Sequence, residues 1–316
     1  MTDLFKEKNV KPMLIGAEGE AFDSPEYIFE LKLDGERCIA YLGGDSTELI
    51  NKRGQRMLPK TPELNGIHRH VSDRCVLDGE LAVIKNGRPD FFEIQRRSLM
   101  SNPFKIQLAA SKHPACFTAF DILYIDGELV TDRPLMERKE LLAGVVKSES
   151  GHFAVSRYIS QQGVSFYELA RKQNLEGIVA KRCDSKYYFG KRTKDWIKIK
   201  NLKDDDFVIC GYILKEKHVI SIVLGQYREG IMLYKGHVTL GVNGGAFRQI
   251  SAVERREAPP FAAPPGNESA VWIEPRLVCT VKYMELTNSG GLRQPVFKGL
   301  RNDKAPEECV EPISKF

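Results

Sequence analysis

The signal for helices stops about two thirds of the way along this chain. Up to residue 200, strand-like runs alternate with amphipathic stretches such as 134–146, where Leu135, Leu141, Leu142 and Val145 recur at helical spacing. After a polar, charged run at 201–206, apolar runs at 207–214, 219–227, 230–240 and 272–283 read as strands separated by glycine turns. One helix candidate, 246–255, and a proline-rich loop, 258–266, interrupt them. A chain so divided is predicted to form two domains, 1–203 and 204–316. The first is α+β, with antiparallel sheets and helices. The second is a small β-barrel of the OB type. Each is large enough to bury its own core. The run at 201–206 is predicted to be a linker.

In the first domain, charged residues punctuate the most apolar strands. Residues 26–42 read as strand, turn, strand, with Lys32 near the end of the first strand and Asp34-Gly35 as the turn. Lysine is a nucleophile only as the free amine, and its ordinary pKa is about 10.4. Desolvation and a neighbouring cation, such as Arg37 or a bound metal, both favour that form. The strand at 74–84 is broken by Asp78 and Glu80, and carboxylates on a core strand are costly unless they bind something. Glu176-Gly177 opens the apolar strand 178–181. Lys198 and Lys200 share one face of the strand 196–200 by the period of two, and repel unless an anion lies between them. Asn51-Lys52-Arg53-Gly54 sets two cations on a turn. Apart from Asp78 and Glu80, which packing does not explain, each feature alone has an ordinary reading: an edge-strand lysine, a solvated turn, a helix cap.

Other expected elements are helices at 59–70, 89–99 and 165–173 and strands at 116–125 and 153–159. Net charge is +5 with a pI of about 8.7, compatible with a polyanionic partner. The seven cysteines form no C-x-x-C pair, which argues against a zinc site or disulfide framework and for a reducing cytosol. No apolar run approaches the ~20 residues of a membrane span.

Taken in order, these stretches resemble the motifs of the covalent nucleotidyltransferases. Glu30-Leu31-Lys32-Leu33-Asp34-Gly35-Glu36-Arg37 is similar to motif I, Asn51-Lys52-Arg53-Gly54 to motif Ia and Val76-Leu77-Asp78-Gly79-Glu80 to motif III. Phe117-Thr118-Ala119-Phe120-Asp121 resembles motif IIIa, Glu176-Gly177-Ile178-Val179-Ala180-Lys181 motif IV, and Asp195-Trp196-Ile197-Lys198-Ile199-Lys200 motif V. Arg301-Asn302-Asp303-Lys304 matches motif VI. The likeness covers nearly the whole chain and is greatest to ATP-dependent DNA ligases, in particular the ligase module of bacterial and archaeal end-joining enzymes. Pro12-Met13-Leu14, Phe91 with Ile94, Gln95 and Arg97, and Leu292 to Phe297 carry that finer likeness.

The resemblance implies a nucleotidyltransferase (ATP-grasp-like) domain followed by an OB-fold barrel. It implies that Lys32 takes AMP from ATP, that Glu30, Leu31, Lys32, Arg37, Arg53, Glu80, Phe120, Arg192, Lys198 and Lys200 contact the nucleotide, and that Phe120 stacks on the base. Glu176 and Glu80 would hold Mg²⁺ or Mn²⁺. Lys52 and Arg192 would meet a DNA 5′-phosphate; whether Lys52 or Arg53 makes the motif Ia contact stays open. Arg301, Asp303 and Lys304 would orient the leaving pyrophosphate. The implied partner is nicked or broken double-stranded DNA, served by a monomeric stand-alone core, with Ku and a separate end-joining polymerase as candidate associates. An RNA ligase and a GTP-dependent capping guanylyltransferase share several motifs and remain alternatives. So does a non-catalytic nucleic-acid clamp, although Lys32 and Glu176 are both present.

Overall fold

The structure, a computed structural model, describes residues 3–215, 219–241, 244–287 and 290–311. It divides into two compact units, Met1–Asn201 and Leu202–Phe316.

The first unit rests on two sheets. One has five strands in the order Leu14–Glu18, Arg192–Lys200, Gly177–Arg182, Ser24–Leu31 and Tyr158–Gln161. The other runs Ser46–Asn51, Glu36–Gly43, Cys75–Lys85, Ala115–Ile125, Glu128–Leu129, with Arg88–Pro89 and Phe153–Val155 alongside. Pairing is antiparallel except for Leu14–Glu18 on Arg192–Lys200 and Phe153–Val155 on Ala115–Ile125.

The chain passes between the sheets where the sequence reads as local and continuous. Ser24–Leu31 and Glu36–Gly43 are the expected strands, but they lie in different sheets. Residues 32–35 are therefore a crossing and not a hairpin turn. Gly35 has no room for a side chain there: a Cβ would lie 2.2 Å from the Leu81 carbonyl oxygen. The single strand expected at 153–159 is likewise two short ones, Phe153–Val155 and Tyr158–Gln161. The first pairs with Phe117–Ala119 in one sheet and the second with Ser24–Leu31 in the other. One straight strand cannot serve two sheets, so the chain breaks at Ser156 and Arg157.

Helices form at Phe91–Leu99, Pro103–Lys112, Leu135–Val145 and Gly163–Lys172. Asp90 caps the first, its carboxylate accepting from the Glu93 backbone N–H at 2.9 Å. The helix expected at 59–70 is two 3₁₀ turns, Pro62–Leu64 and Ile67–His70, parted at Asn65-Gly66. Pro103–Lys112 was not anticipated, although Asn102 as cap and Pro103 in the first turn are start signals.

Leu77, Leu81, Phe117, Ile122, Leu142 and Phe153 are fully buried on the larger sheet. A second cluster, including Met13, Tyr41, Leu123, Tyr187 and Trp196, draws on strands of both sheets and packs them together. Each such side chain contributes roughly 1.5–3 kcal/mol relative to exposure.

The second unit is an antiparallel sheet in the order Ile231–Thr239, Ile220–Arg228, Lys203–Leu214, Val271–Tyr283, Val296–Arg301, with the α-helix Gly244–Ser251 and a 3₁₀ turn Pro306–Glu308. Its core holds Phe207, Ile209, Ile222, Leu224, Ile250, Ile273 and Val281. This is the OB-type architecture expected. The charged run 203–206 is not a linker: it opens the strand Lys203–Leu214 and pairs in register with Tyr283 to Thr280. Its acids tolerate the strand because Thr280, Lys282 and Tyr283 lie across from them as partners. Arg301 is the final residue of the strand Val296–Arg301.

Candidate active site

Lys32 is the first residue of the crossing between the sheets. Its backbone N–H donates to the Gly177 carbonyl at 3.0 Å, and its ammonium lies 2.7 Å from Glu176 Oε1. Gly177 makes this approach possible: its φ is +136°, and a Cβ would sit 2.1 Å from the Ile199 carbonyl oxygen. The Lys32 side chain keeps 22% exposure while Glu176 keeps 4%. A lysine that solvent and ligand can reach thus stands on a nearly buried carboxylate. Sequence reasoning looked to Arg37 for a neighbouring cation; the nearest charge is this acid, brought by the strand alongside.

Around Lys32 opens a cleft of about 490 Å³, part of it solvent, lined by Glu30, Leu31, Arg37, Glu80, Phe120 and Trp196 among others from both sheets. Asp78 and Glu80 fall on one face of Cys75–Lys85 by the period of two, and the structure gives them different tasks. Asp78 is fully buried and accepts two hydrogen bonds from Arg37, Nε at 2.6 Å and Nη2 at 2.5 Å. The Tyr187 hydroxyl donates to the same carboxylate, and the Met13 N–H donates to Tyr187 at 2.9 Å. The guanidinium pKa is raised above its ordinary value: burial opposes the charge, but Asp78 more than compensates. Glu80 faces the cleft. Burial pushes its carboxyl up to about 8 against the pull of Arg37 and Lys32, with Glu176 and Asp78 adding repulsion.

Glu30 is buried at the back of the cleft. It accepts from Lys181 at 3.0 Å and Ser156 at 2.9 Å and pairs with Lys139. Burial works to raise its pKa, yet Lys139 and Lys181 hold it below its ordinary value. Burial brings Lys181 down to about 8 in spite of Glu30. Phe120, expected to stack on a base, has Arg37 4.5 Å and Lys181 4.2 Å from its ring centroid. Helix Leu135–Val145 is fixed beside it by the fully buried pair Arg138–Asp121, at 2.8 Å, and by Lys139 donating to the Phe120 carbonyl at 2.7 Å.

Lys198 and Lys200 lie opposite Val179 and Gly177 in the strand register, hence on the face that carries the Lys32–Glu176 contact. The anion between them is Glu18, 3.0 and 3.6 Å away. Arg192 is exposed and donates to the Ile15 carbonyl at 2.6 Å. Lys52 and Arg53 occupy an exposed turn joined to Arg37 through the Lys52 N–H, 3.2 Å from the Arg37 carbonyl. So the structure brings Glu30, Leu31, Lys32, Arg37, Glu80, Phe120 and Glu176 together, and sets Lys52, Arg53 and Arg192 outside the cleft lining. In the second unit, Arg301 is held by Asp303 through two contacts of 2.7 Å, and Lys304 donates to Asp206 at 2.8 Å.

The carboxylates Glu80 and Glu176 are the oxygen donors that a hard divalent ion prefers, with water and phosphate completing its shell. The strain of keeping Glu80 ionised is what such an ion would relieve. Sequence reasoning missed Glu18, Lys139, Ser156, Lys181, Tyr187 and Asp206. Lys181 alone carried a signal, closing the string that begins at Glu176.

The sequence model of the ATP dependent DNA ligase domain matches residues 14–200, and that of the ATP dependent DNA ligase C terminal region matches 215–304. The SPbeta prophage-derived DNA ligase-like protein LigB of Bacillus subtilis is 30% identical over 294 residues, covering 92% of this chain and 99% of LigB. The multifunctional non-homologous end joining protein LigD of Pseudomonas aeruginosa is 30% identical over 300 residues, 90% of this chain and 34% of LigD. The chain therefore spans about a third of that relative. Among solved structures, mycobacterial DNA ligase D complexed with ATP and MES matches with TM-score 0.56 and 27% identity over 96% of this chain and 99% of that one.

Proposed function

The chain belongs to the ATP-dependent DNA ligase family, and from that premise we propose that Lys32 is the residue that carries AMP during strand sealing. The observation that supports this reading best is the Lys32–Glu176 contact at the mouth of a cleft with a buried acid–lysine cluster behind it.

In the first step the Lys32 amine gives up its proton, Glu176 being within reach to accept it, and attacks the α-phosphorus of ATP. The bond to the β-phosphate oxygen breaks and pyrophosphate leaves. In the second, a DNA 5′-phosphate oxygen attacks the same phosphorus and the lysine departs as the amine. In the third, a 3′-hydroxyl attacks the DNA phosphorus, the phosphodiester forms and AMP leaves. Phosphorus changes partners throughout, so orientation and charge neutralisation dominate.

Phe120 and Glu30 would receive the base, Glu30 as acceptor for an exocyclic amine. Arg37 keeps Nη1 clear of Asp78 and could offer it to the sugar or phosphate. Lys198 and Lys200 would exchange Glu18 for the α-phosphate, and Arg301, Asp303 and Lys304 would orient the departing pyrophosphate. Glu80 and Glu176 would hold Mg²⁺ or Mn²⁺, which would supply neutralisation of phosphate charge. Lys52, Arg53 and Arg192, exposed outside the cleft, suit contacts with DNA phosphates.

The likeness to end-joining relatives supports a role in end joining, with nicked or broken duplex DNA as substrate; a monomer, a cytoplasmic site on the nucleoid, and cooperation with Ku and a separate polymerase complete the proposal. Among the described residues no helix is long and apolar enough to cross a membrane. The deciding experiment is intact-mass analysis after incubation with ATP and a divalent ion. One added AMP, mapping to Lys32 and lost in Lys32→Ala, is expected; an adduct that survives that substitution would remove the basis of the assignment.

A further inference from the structure

The acidic run that opens the second unit's strand ends in a residue without a role so far. Asp206 pairs in register with Thr280, and its side chain is 13% exposed. Oδ1 accepts from the Thr280 hydroxyl at 2.6 Å, and Oδ2 from the Lys304 ammonium at 2.8 Å. Arg301 Nη1 lies 3.3 Å from Oδ2 and 3.5 Å from Oδ1. Arg301 is also gripped from the other side, with Nε and Nη2 on Asp303. Burial works to raise the Asp206 pKa, but Lys304, Thr280 and Arg301 hold it below its ordinary value, so the group stays ionised.

This arrangement fixes the two cations without exhausting them. An ammonium has three N–H donors and a guanidinium five. Asp206 takes one from Lys304, Asp303 takes two from Arg301, and Arg301 Nη1 faces both oxygens of Asp206. Donors remain on both cations, on side chains that keep partial exposure. Two cations and two carboxylates cancel, so the pair can stand side by side with no ligand present. Long cationic side chains otherwise lose much rotamer freedom when a phosphate captures them.

We propose that Asp206 is a positioning residue for the adenylylation step, acting through Arg301 and Lys304. It holds their remaining donors together, ready for the two terminal phosphates of ATP as pyrophosphate leaves. The inference rests on the reading of Arg301 and Lys304 given above and adds the residue that organises them.

Asp206→Asn keeps the shape and an acceptor for Thr280 while removing the charge. The full-length variant is compared with the parent in two reactions: single-turnover adenylylation with labelled ATP, and sealing of a nick that already carries AMP. Adenylylation is expected to slow about ten-fold or more, and the second reaction to change far less. Asp206→Glu should restore part of the rate. In an Arg301→Ala, Lys304→Ala background, Asp206→Asn should have no further effect, because it has nothing left to act through. Equal slowing of both reactions, or losses that add in the combined variant, would overturn the proposal in favour of a general structural role. If Arg301→Ala itself adenylylates normally, the reading of the cations falls as well. If Arg301→Ala is slow while Asp206→Asn is not, that reading stands and only the positioning role fails.

Discussion

Glu80 makes the stability of the first unit depend on pH in a direction opposite to most acids. Its carboxyl is pushed up to about 8 in the folded chain, chiefly by burial, whereas an unfolded glutamate titrates near 4.3. Between those values the folded state binds a proton that the unfolded state does not. The contribution is therefore fully present below about pH 4 and is lost as pH rises towards 8. The slope is about 1.4 kcal/mol per pH unit, so from pH 6 to pH 8 the loss is roughly 2–3 kcal/mol. In a unit of this size that corresponds to a fall in Tm of about 5–10 °C. Other groups titrate too, so the comparison is with Glu80→Gln, which keeps the shape and removes the proton equilibrium. Thermal unfolding of both proteins at half-unit steps from pH 5 to 9, without divalent ions, isolates the difference. The parent should lose ground steadily to the variant up to about pH 8 and then run parallel. Two curves that stay parallel across the range would refute the reasoning. Because an ion held by Glu80 would displace that proton, Mg²⁺ affinity should also rise with pH over the same interval.

Other predictions follow from the geometry. Gly177→Ala forces a Cβ against the Ile199 carbonyl at a φ of +136°; a loss of about 2 kcal/mol or more in denaturant unfolding is expected, with adenylylation falling alongside because Lys32 hangs from the Gly177 carbonyl. Tyr187→Phe leaves the buried Asp78 carboxylate one donor short, costing about 1–3 kcal/mol; the KM for ATP should rise as Arg37 loosens. Glu18→Gln removes the anion held between Lys198 and Lys200, so equilibrium binding of ATP should tighten a few-fold at low salt, by calorimetry. Nick binding should weaken linearly in log salt, with a slope of about −0.9 per phosphate contact.

What the sequence made legible was the set of strand ends. Lys32, Glu80, Glu176, Lys198 and Lys200 are exceptions to local apolar runs, and an exception on a core strand announces itself. The partners were not legible. Glu18 meets Lys198 through a parallel pairing of strands about 180 residues apart in sequence, and Tyr187 reaches Asp78 from a loop packed against the other sheet. Periodicity carries no information on such pairings. The crossings at 32–35 and at Ser156 and Arg157 were hidden for a related reason: a turn looks the same locally whether its strands return to one sheet or divide between two. The run 203–206 misled because charge was read as solvation, and the cross-strand partners that make it a strand lie more than seventy residues away.

The pairing of charges also separates what is fixed at this site from what can be exchanged. Lys32, Arg37, Lys198 and Lys200 each have a counter-ion supplied by a distant stretch of chain, and burial decides whether a ligand can compete for it. Arg37 on Asp78, and Lys139 and Lys181 on Glu30, are enclosed by both sheets, and pulling such a pair apart leaves an uncompensated buried charge. They belong to the scaffold, which explains how a cleft so rich in charge keeps its shape without nucleotide. The Glu18 carboxylate keeps 46% exposure, so water can take over its solvation when phosphate claims Lys198 and Lys200. Lys32 on Glu176 is intermediate: the lysine is accessible and the acid is not. That asymmetry is what a transferring residue requires, since the lysine must leave its counter-ion to bond phosphorus, and the carboxylate it leaves needs either the lysine's proton or a divalent ion to remain where it is.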